Sequence, residues 1–260
     1  MDPVQVVVLA VLQGLVEFLP ISSSGHLILV PALLGWEDQG LAFDIAVHVG
    51  TLTAVVAYFR RELVDLAFAI FQPRRPENTL AWALVVATLP IVIAGLLGGD
   101  FIASSLRSPD VIATTTAGYG ILLWVADRFG RRQRSEGQIS LRDGLLIGIG
   151  QAIALIPGTS RSGITMTVGL ALGLTRSAAA RFSFLMAVPA VGAAGVWQTI
   201  EFVSAPTSAP WDTLLLAAMA SGVMAFFVIA GFLRLIERTG MLVFAVYRLL
   251  LAGVIVYALL

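Results

Sequence analysis

Two polar segments interrupt an otherwise apolar chain, and both hold residue types suited to phosphate chemistry. The first reads Gln13-Gly-Leu-Val-Glu17-Phe-Leu-Pro20-Ile-Ser22-Ser23-Ser24-Gly25-His26. Gln13 and Glu17 are four residues apart on one helical face, so two oxygen ligands point the same way. The second reads Pro157-Gly158-Thr159-Ser160-Arg161-Ser162-Gly163-Ile164-Thr165, and Arg161 is the only charged residue between Asp143 and Arg176. A guanidinium offers five donors in a fork that matches phosphate oxygens, and the hydroxyls and glycine amides beside it complete an anion cradle.

Each residue also has a plainer reading. A carboxylate at bilayer depth costs several kcal/mol by order of magnitude unless it is paired, metal-bound or protonated, so Glu17 is either functional or a buried helix cap. Ser22, Ser24, Ser160 and Ser162 are preferred N-cap residues, and capping alone accounts for any one of them. Their duplication beside Glu17 and Arg161 favours function. His26, one turn past the serines, is an acid or base near neutral pH or a hydrogen-bonding support for the cradle. His48 has Asp44 one turn earlier inside an apolar stretch and is assigned a structural role outside the site. Arg248 reads as a snorkelling or paired cation of the last apolar stretch, and Trp36, Trp82, Trp124, Trp197 and Trp211 suit interfacial belts.

The elements that must carry these motifs are membrane helices. The 260 residues are 58% hydrophobic and 12% charged, with a mean hydropathy of +0.93, outside the range of soluble domains. Sixteen arginines balance sixteen acids and lysine is absent, so no basic field suggests nucleic acid. Cysteine is absent too, which excludes disulfides and thiolate metal sites. The start at Met1-Asp2-Pro3 lacks a basic signal-peptide region and is expected to be mature structure.

A bilayer core of ~30 Å needs about 20 apolar helical residues. Six stretches qualify, near residues 43 to 59, 79 to 98, 111 to 127, 182 to 201, 213 to 233 and 240 to 260. Two further apolar regions, 4 to 34 and 144 to 174, are each split by a polar motif into pieces too short to span, and are expected to be re-entrant hairpins facing the protein interior.

Shifting the sequence against itself by 138 residues aligns Gln13 with Gln151, Ser22 with Ser160, Ser24 with Ser162 and Gly25 with Gly163. The expected architecture is therefore an all-α polytopic membrane domain of two repeats, 1 to 127 and 139 to 260. Each repeat is one hairpin plus three spans, and an odd number of spans inverts the second repeat so that the two breaks face each other. Arginine-rich connections at 60 to 75, 128 to 142 and 234 to 238 are expected to be cytoplasmic, with both termini outside.

These residues resemble a known family. QGLVEFLPISSSGH is similar to the (E/Q)xxxE motif and Ser/His segment of bacterial undecaprenyl-diphosphate phosphatases of the bacitracin-resistance type, and PGTSRSGIT resembles their PGxSRSxxT signature. The resemblance covers essentially the whole chain. It implies removal of the terminal phosphate from a C55 polyprenyl diphosphate to recycle the lipid carrier for cell-wall synthesis. It also implies a divalent cation, Mg²⁺ or Ca²⁺, the bacterial inner membrane and a site open to the periplasm. Glu17 and Gln13 match the metal-binding positions, Ser23 the candidate nucleophile and Arg161 the phosphate-binding arginine. From the residues themselves, His26 is expected to complete the catalytic set, and Ser22, Ser24, Gly25, Gly158, Thr159, Ser160, Ser162, Gly163 and Thr165 are expected to form the phosphate cradle. Attack by Ser23 and attack by a metal-activated water both satisfy the motifs. A homodimer is compatible with the chain, whose oligomeric state the motifs leave open.

The rival class is a transporter or flippase of an anionic, phosphorylated lipid, which also uses inverted repeats and broken helices. The set Glu17, Ser23, His26 and Arg161 favours hydrolysis, because an anion carrier gains little from a carboxylate beside phosphate.

Overall fold

A computed structural model describes the backbone of residues 1 to 204 and 211 to 259, and the side chains of these except residues 100, 103, 104 and 197 to 204. The side chain of Trp197, expected in an interfacial belt, and residues 205 to 210 of the connection at 202 to 212 lie outside what the structure describes. The described chain forms eleven α-helices: α1 (Pro3–Val16), α2 (Ser23–Leu34), α3 (Gly40–Tyr58), α4 (Arg60–Ala69), α5 (Asn78–Ser105), α6 (Pro109–Phe129), α7 (Leu141–Ile153), α8 (Arg161–Ala171), α9 (Arg176–Ser204), α10 (Trp211–Thr239) and α11 (Leu242–Leu259).

Both polar motifs fall where helices break. Asp2 caps α1, with Pro3 at its first position, and α1 stops at Val16. At 14 and 12 residues, α1 and α2 are about 21 and 18 Å long, short of the ~30 Å core. The second break separates α7 (13 residues) from α8 (11 residues), shorter still.

Five helical stretches are long and apolar enough to cross a membrane: Gly40–Tyr58, Asn78–Gly99, Arg176–Val196, Trp211–Thr239 and Leu242–Leu259. The sixth expected span, 111 to 127, lies in α6, which has the length but not the composition. It carries Asp110, Asp127 and Arg128 and a run of three threonines. Two of those threonines serve the second break: Thr115 Oγ1 donates to Pro157 O at 2.6 Å and Thr116 Oγ1 to Gly158 O at 3.3 Å. The connection after the first span, expected to be a loop, instead contains α4.

The helices of the two halves pack across each other. α1 lies on α10 and α7 on α5, while α2 lies on α11 and α8 on α6, and α3 pairs with α9 and α10. The shift of 138 residues maps the first two pairs onto each other, and likewise the second two. Close approach depends on glycine where α3 meets α10: a Cβ on Gly50 would overlap the Ala218 carbonyl and the Ser221 hydroxyl. Gly50→Ala is expected to cost about 1–3 kcal/mol by overpacking, read as a lower thermal unfolding midpoint in detergent. An unchanged midpoint would mean that the contact relaxes freely.

A chain of aromatic rings runs through the core. Phe18 meets Phe184 edge-on at 5.3 Å, Phe184 meets Phe232 at 5.7 Å and Phe232 meets Phe244 at 5.5 Å. Phe18 directly follows Glu17, so this packing anchors the first break against α9.

On the arginine-rich side, Asp143 caps α7 together with Ser140 and receives both Arg134 Nη1 at 3.0 Å and the Ser140 hydroxyl at 2.7 Å. Arg134 holds its carboxyl down to about 2 from an ordinary value of 3.8, with further help from Ser140. A depressed folded-state pKa means that the stabilisation is present above the ordinary value and is lost as pH falls from about 4 towards 2. Thermal unfolding followed across that window should decline in the parent protein, with a shallower decline in Asp143→Asn. Identical slopes would remove Asp143 from the acid response.

Candidate active site

Each break ends on a serine in a backbone conformation that L residues seldom adopt. Ser22 has φ 73° and Ser160 has φ 69°. Each caps the helix that follows it, Ser22 Oγ accepting from Gly25 N at 3.4 Å and Ser160 Oγ from Gly163 N at 3.1 Å. Each also lies 3.3 Å from the hydroxyl two residues on, Ser24 and Ser162 respectively. Capping and a shared local geometry are therefore both real for these serines. Ser23 and Arg161 are then the first residues of α2 and α8, equivalent positions under the 138-residue shift, each at a helix end of partial positive charge.

The two breaks touch directly. Ser162 Oγ donates to Leu19 O at 2.9 Å, and Gly158 N donates to Ser24 Oγ at 3.2 Å. The pair closest to chemistry is Glu17 and Arg161: Arg161 Nη2 donates to Glu17 Oε1 at 3.0 Å, and Nη1 donates to Ser183 O at 2.9 Å. Glu17 Oε2 accepts from Gln13 Nε2 at 2.9 Å and from Ser23 Oγ at 3.1 Å. Glu17 is 8% exposed, so its charge is neutralised by the guanidinium rather than by water.

Two polar atoms beside this pair are buried without a partner: Arg161 Nε, a donor, and Gln13 Oε1, an acceptor. Native interiors rarely leave such groups orphaned, and water, an ion or a ligand usually satisfies them. An unpaired guanidinium donor suits a phosphate oxygen, and an unpaired amide oxygen suits a hard cation. Thr159 Oγ1 is a third orphan, in the second break.

Not every expected residue faces this point. His26 is buried with both ring nitrogens engaged, Nδ1 donating to Ser22 O at 2.7 Å and Nε2 accepting from Tyr247 Oη at 2.6 Å. It therefore ties α2 to α11 in this geometry and has no free nitrogen for Ser23. Thr165 lies one turn into α8 and bonds Ser183 Oγ at 2.8 Å, bracing the residue that holds Arg161. Gly25 and Gly163 supply the capped amides, and the Gly158 and Thr159 carbonyls are turned to another cation, Arg248.

Two residues left outside the site by sequence lie against it. His48 Nδ1 donates to Asp44 O at 2.7 Å, which leaves Nε2 to accept from Gln13 Nε2 at 3.2 Å, and Nε2 is 3.7 Å from Glu17 Oε2. Arg248 does not snorkel: it is 0% exposed and donates to Thr116 O, Gly158 O and Thr159 O at 2.8, 2.9 and 3.0 Å. Weaker bonds reach Thr115 O and Pro20 O at 3.3 and 3.4 Å, so one guanidinium grips both breaks. The available signal was a charge in the middle of an apolar helix; that it pairs with carbonyls and not with an acid was not encoded locally.

A carboxylate paired to a guanidinium, a hydroxyl on the same carboxylate and unpaired donors beside them can bind an anion and deprotonate a nucleophile next to it. The family model described as Bacitracin resistance protein BacA matches residues 6–254. Among curated proteins, the chain is 51% identical over 263 residues to Undecaprenyl-diphosphatase 2 of Stutzerimonas stutzeri, covering 98% of this chain and 97% of that protein. It is 50% identical to Undecaprenyl-diphosphatase of Nitrosococcus oceani over 262 residues and to Undecaprenyl-diphosphatase 1 of Pseudoalteromonas translucida over 263, covering 99% of both chains in each case. With half of its residues shared across the full length of these relatives, and both motifs inside the matched region, this multi-pass membrane protein belongs to the bacitracin resistance protein BacA family.

Proposed function

We propose that this chain is an undecaprenyl-diphosphatase, a membrane hydrolase that converts undecaprenyl diphosphate to undecaprenyl phosphate and inorganic phosphate. The observation that carries the reading is the Glu17–Arg161 pair at 3.0 Å, with Ser23 Oγ 3.1 Å from the same carboxylate. The relatives of that name, similar along the whole chain, supply the substrate.

The terminal phosphate binds Arg161 through its unpaired Nε and the amide-rich N-terminus of α8. Glu17 Oε2 takes the proton of Ser23, whose oxygen attacks the terminal phosphorus. The bond from that phosphorus to the bridging oxygen breaks, and the bridging oxygen leaves on undecaprenyl phosphate. Water then attacks the phosphoserine, its proton passing to a phosphate oxygen, while Glu17 returns a proton to Ser23 as inorganic phosphate departs. Charge spread over the equatorial oxygens is met by Arg161 and the two helix N-termini. His26 holds α2 in place through Tyr247 and moves no proton in this scheme.

Among the described residues no three His, Cys, Asp or Glu side chains gather as a metal cage. The donors present fit a hard divalent cation, because Gln13 Oε1 is unpaired and the Glu17 carboxylate adjoins it. Gln13 and Glu17 would hold Mg²⁺ or Ca²⁺, which would supply charge neutralisation of the substrate phosphates.

The proposed setting is the bacterial inner membrane, with the site open to the periplasm. There α6 serves as a sixth span, the pairs α1–α2 and α7–α8 are re-entrant, and residues 1 to 127 and 139 to 260 form inverted repeats. Crossing of helix pairs between the halves and the shared geometry at Ser22 and Ser160 support this arrangement.

The test is inorganic phosphate released from undecaprenyl diphosphate by detergent-purified protein with Mg²⁺, with Ca²⁺ and with excess chelator. We expect release with a divalent cation and at least about tenfold less with chelator. Tight lipid binding without release under any metal condition would transfer the reading to lipid transport.

A further inference from the structure

We propose that α4, with the arginine pairs that bracket it, is an interfacial site for anionic phospholipid headgroups. The inference requires only that the chain sits in a bilayer and is independent of the reaction.

With 10 residues, α4 is about 15 Å long and cannot cross the ~30 Å core, although it lies between two helices that can. Its inner face is set by Leu66 and Ala69, both buried. Its outward side chains include Val64 and Phe68, at i and i+4 and 54 and 59% exposed, with Asp65 exposed beside them, and Phe71, two residues past the end of the helix, is 84% exposed. Arg60 and Arg61 stand before this stripe, and Arg74 and Arg75 after it.

None of the four arginines has a carboxylate partner among the described residues. Of the two acids on the helix, Glu62 is already held by Arg181, which also takes Glu136, and Asp65, exposed beside Arg60 and Arg61, makes no ion pair with either and offsets only one of the four positive charges. A cleft of about 340 Å³ adjoins the first pair, lined by Tyr58, Phe59, Glu62 and Arg181 as well as Arg60 and Arg61. A second, of about 440 Å³, lies at Gln72, Pro73, Arg74 and Arg75. Each is large enough for a headgroup.

The helix is also fixed in place. At its N-terminal end Arg181 lies over the Phe59 ring at 5.3 Å and bonds Glu62. At its C-terminal end Asn78 Nδ2 donates to Ala69 O at 2.6 Å and Trp82 Nε1 to Ile70 O at 3.3 Å. Trp82 is 42% exposed and is suited to the headgroup level. Apolar side chains pointing outward between two unpaired cationic clefts match one occupant: acyl chains under the phenylalanines with their anionic headgroups on the arginines. An acidic protein segment would leave the phenylalanines uncovered.

The experiment is native mass spectrometry of the full-length protein in detergent, titrated with phosphatidylglycerol or with phosphatidylcholine. The parent is expected to retain phosphatidylglycerol at least about tenfold better. Arg60→Gln, Arg61→Gln, Arg74→Gln and Arg75→Gln combined should bring the ratio close to one while phosphate release in detergent is unchanged. Phe68→Ser with Phe71→Ser, which leaves the charge intact, should weaken retention of both lipids several-fold. No preference in the parent, or a preference that survives loss of all four arginines, overturns the proposal.

Discussion

In Arg161→Ala, release of inorganic phosphate from undecaprenyl diphosphate falls by about 10³-fold or more in kcat/KM, on the scale of losing a phosphate-clamping arginine elsewhere. Two effects combine. The phosphate loses the donor at Nε that nothing in the protein satisfies, and Glu17 is left as a buried carboxylate without its 3.0 Å partner. Arg161→Lys recovers little, because a single ammonium cannot bond Glu17 and Ser183 O while also presenting a donor to phosphate. Glu17→Gln keeps the shape but cannot accept the Ser23 proton, and a loss of similar size is expected without a matching rise in KM. Steady-state phosphate release in detergent, beside thermal unfolding of each variant, measures both. Activity within tenfold of the parent in a folded Arg161→Ala protein would remove the phosphate from this position.

Arg248→Met should produce the largest loss of stability. The guanidinium is fully buried and bonds carbonyls of α6 and of both breaks, and without it Gly158 O keeps only the 3.3 Å bond from Thr116 Oγ1 while Thr159 O and Pro20 O lose their described donor. A buried acceptor left unpaired costs about 1–3 kcal/mol, so removing several at once is expected to cost at least about 3 kcal/mol. Methionine preserves much of the volume, which separates lost hydrogen bonds from lost packing. The readouts are the unfolding midpoint in detergent and the yield of monodisperse protein. Retained stability with lost phosphate release would reassign Arg248 from holding the breaks to acting on the substrate.

The arrangement around Glu17 explains why reading along the chain reached some of these residues and not others. Gln13 and Glu17 are one helical turn apart, and the hydrogen bond between them follows from that spacing. The serine-glycine pattern is equally local: Ser22 with Gly25 and Ser160 with Gly163 cap helices whose first residues are Ser23 and Arg161. The two histidines behave differently. His26 lies beside the serine run, yet its ring is held by Tyr247, 221 residues away. His48 sits in an apolar stretch with no motif, yet reaches Glu17 because α1 packs against α3.

The sequence alone determined that this is a helical membrane chain with two polar breaks, because hydropathy and i, i+4 spacing are properties of short segments. It also set which residues open the broken helices, since a serine cap and the glycine amide it binds are three positions apart. Only the tertiary structure decided which residues face one another across the site. Arg161 meets Glu17 over 144 positions, and Arg248 reaches Pro20 O over 228. Such meetings depend on how α1, α3, α8 and α11 pack, and α6 gave up the composition of a simple span to supply threonines to the second break. Local patterns fix what each segment can offer, whereas helix packing fixes where each side chain is presented.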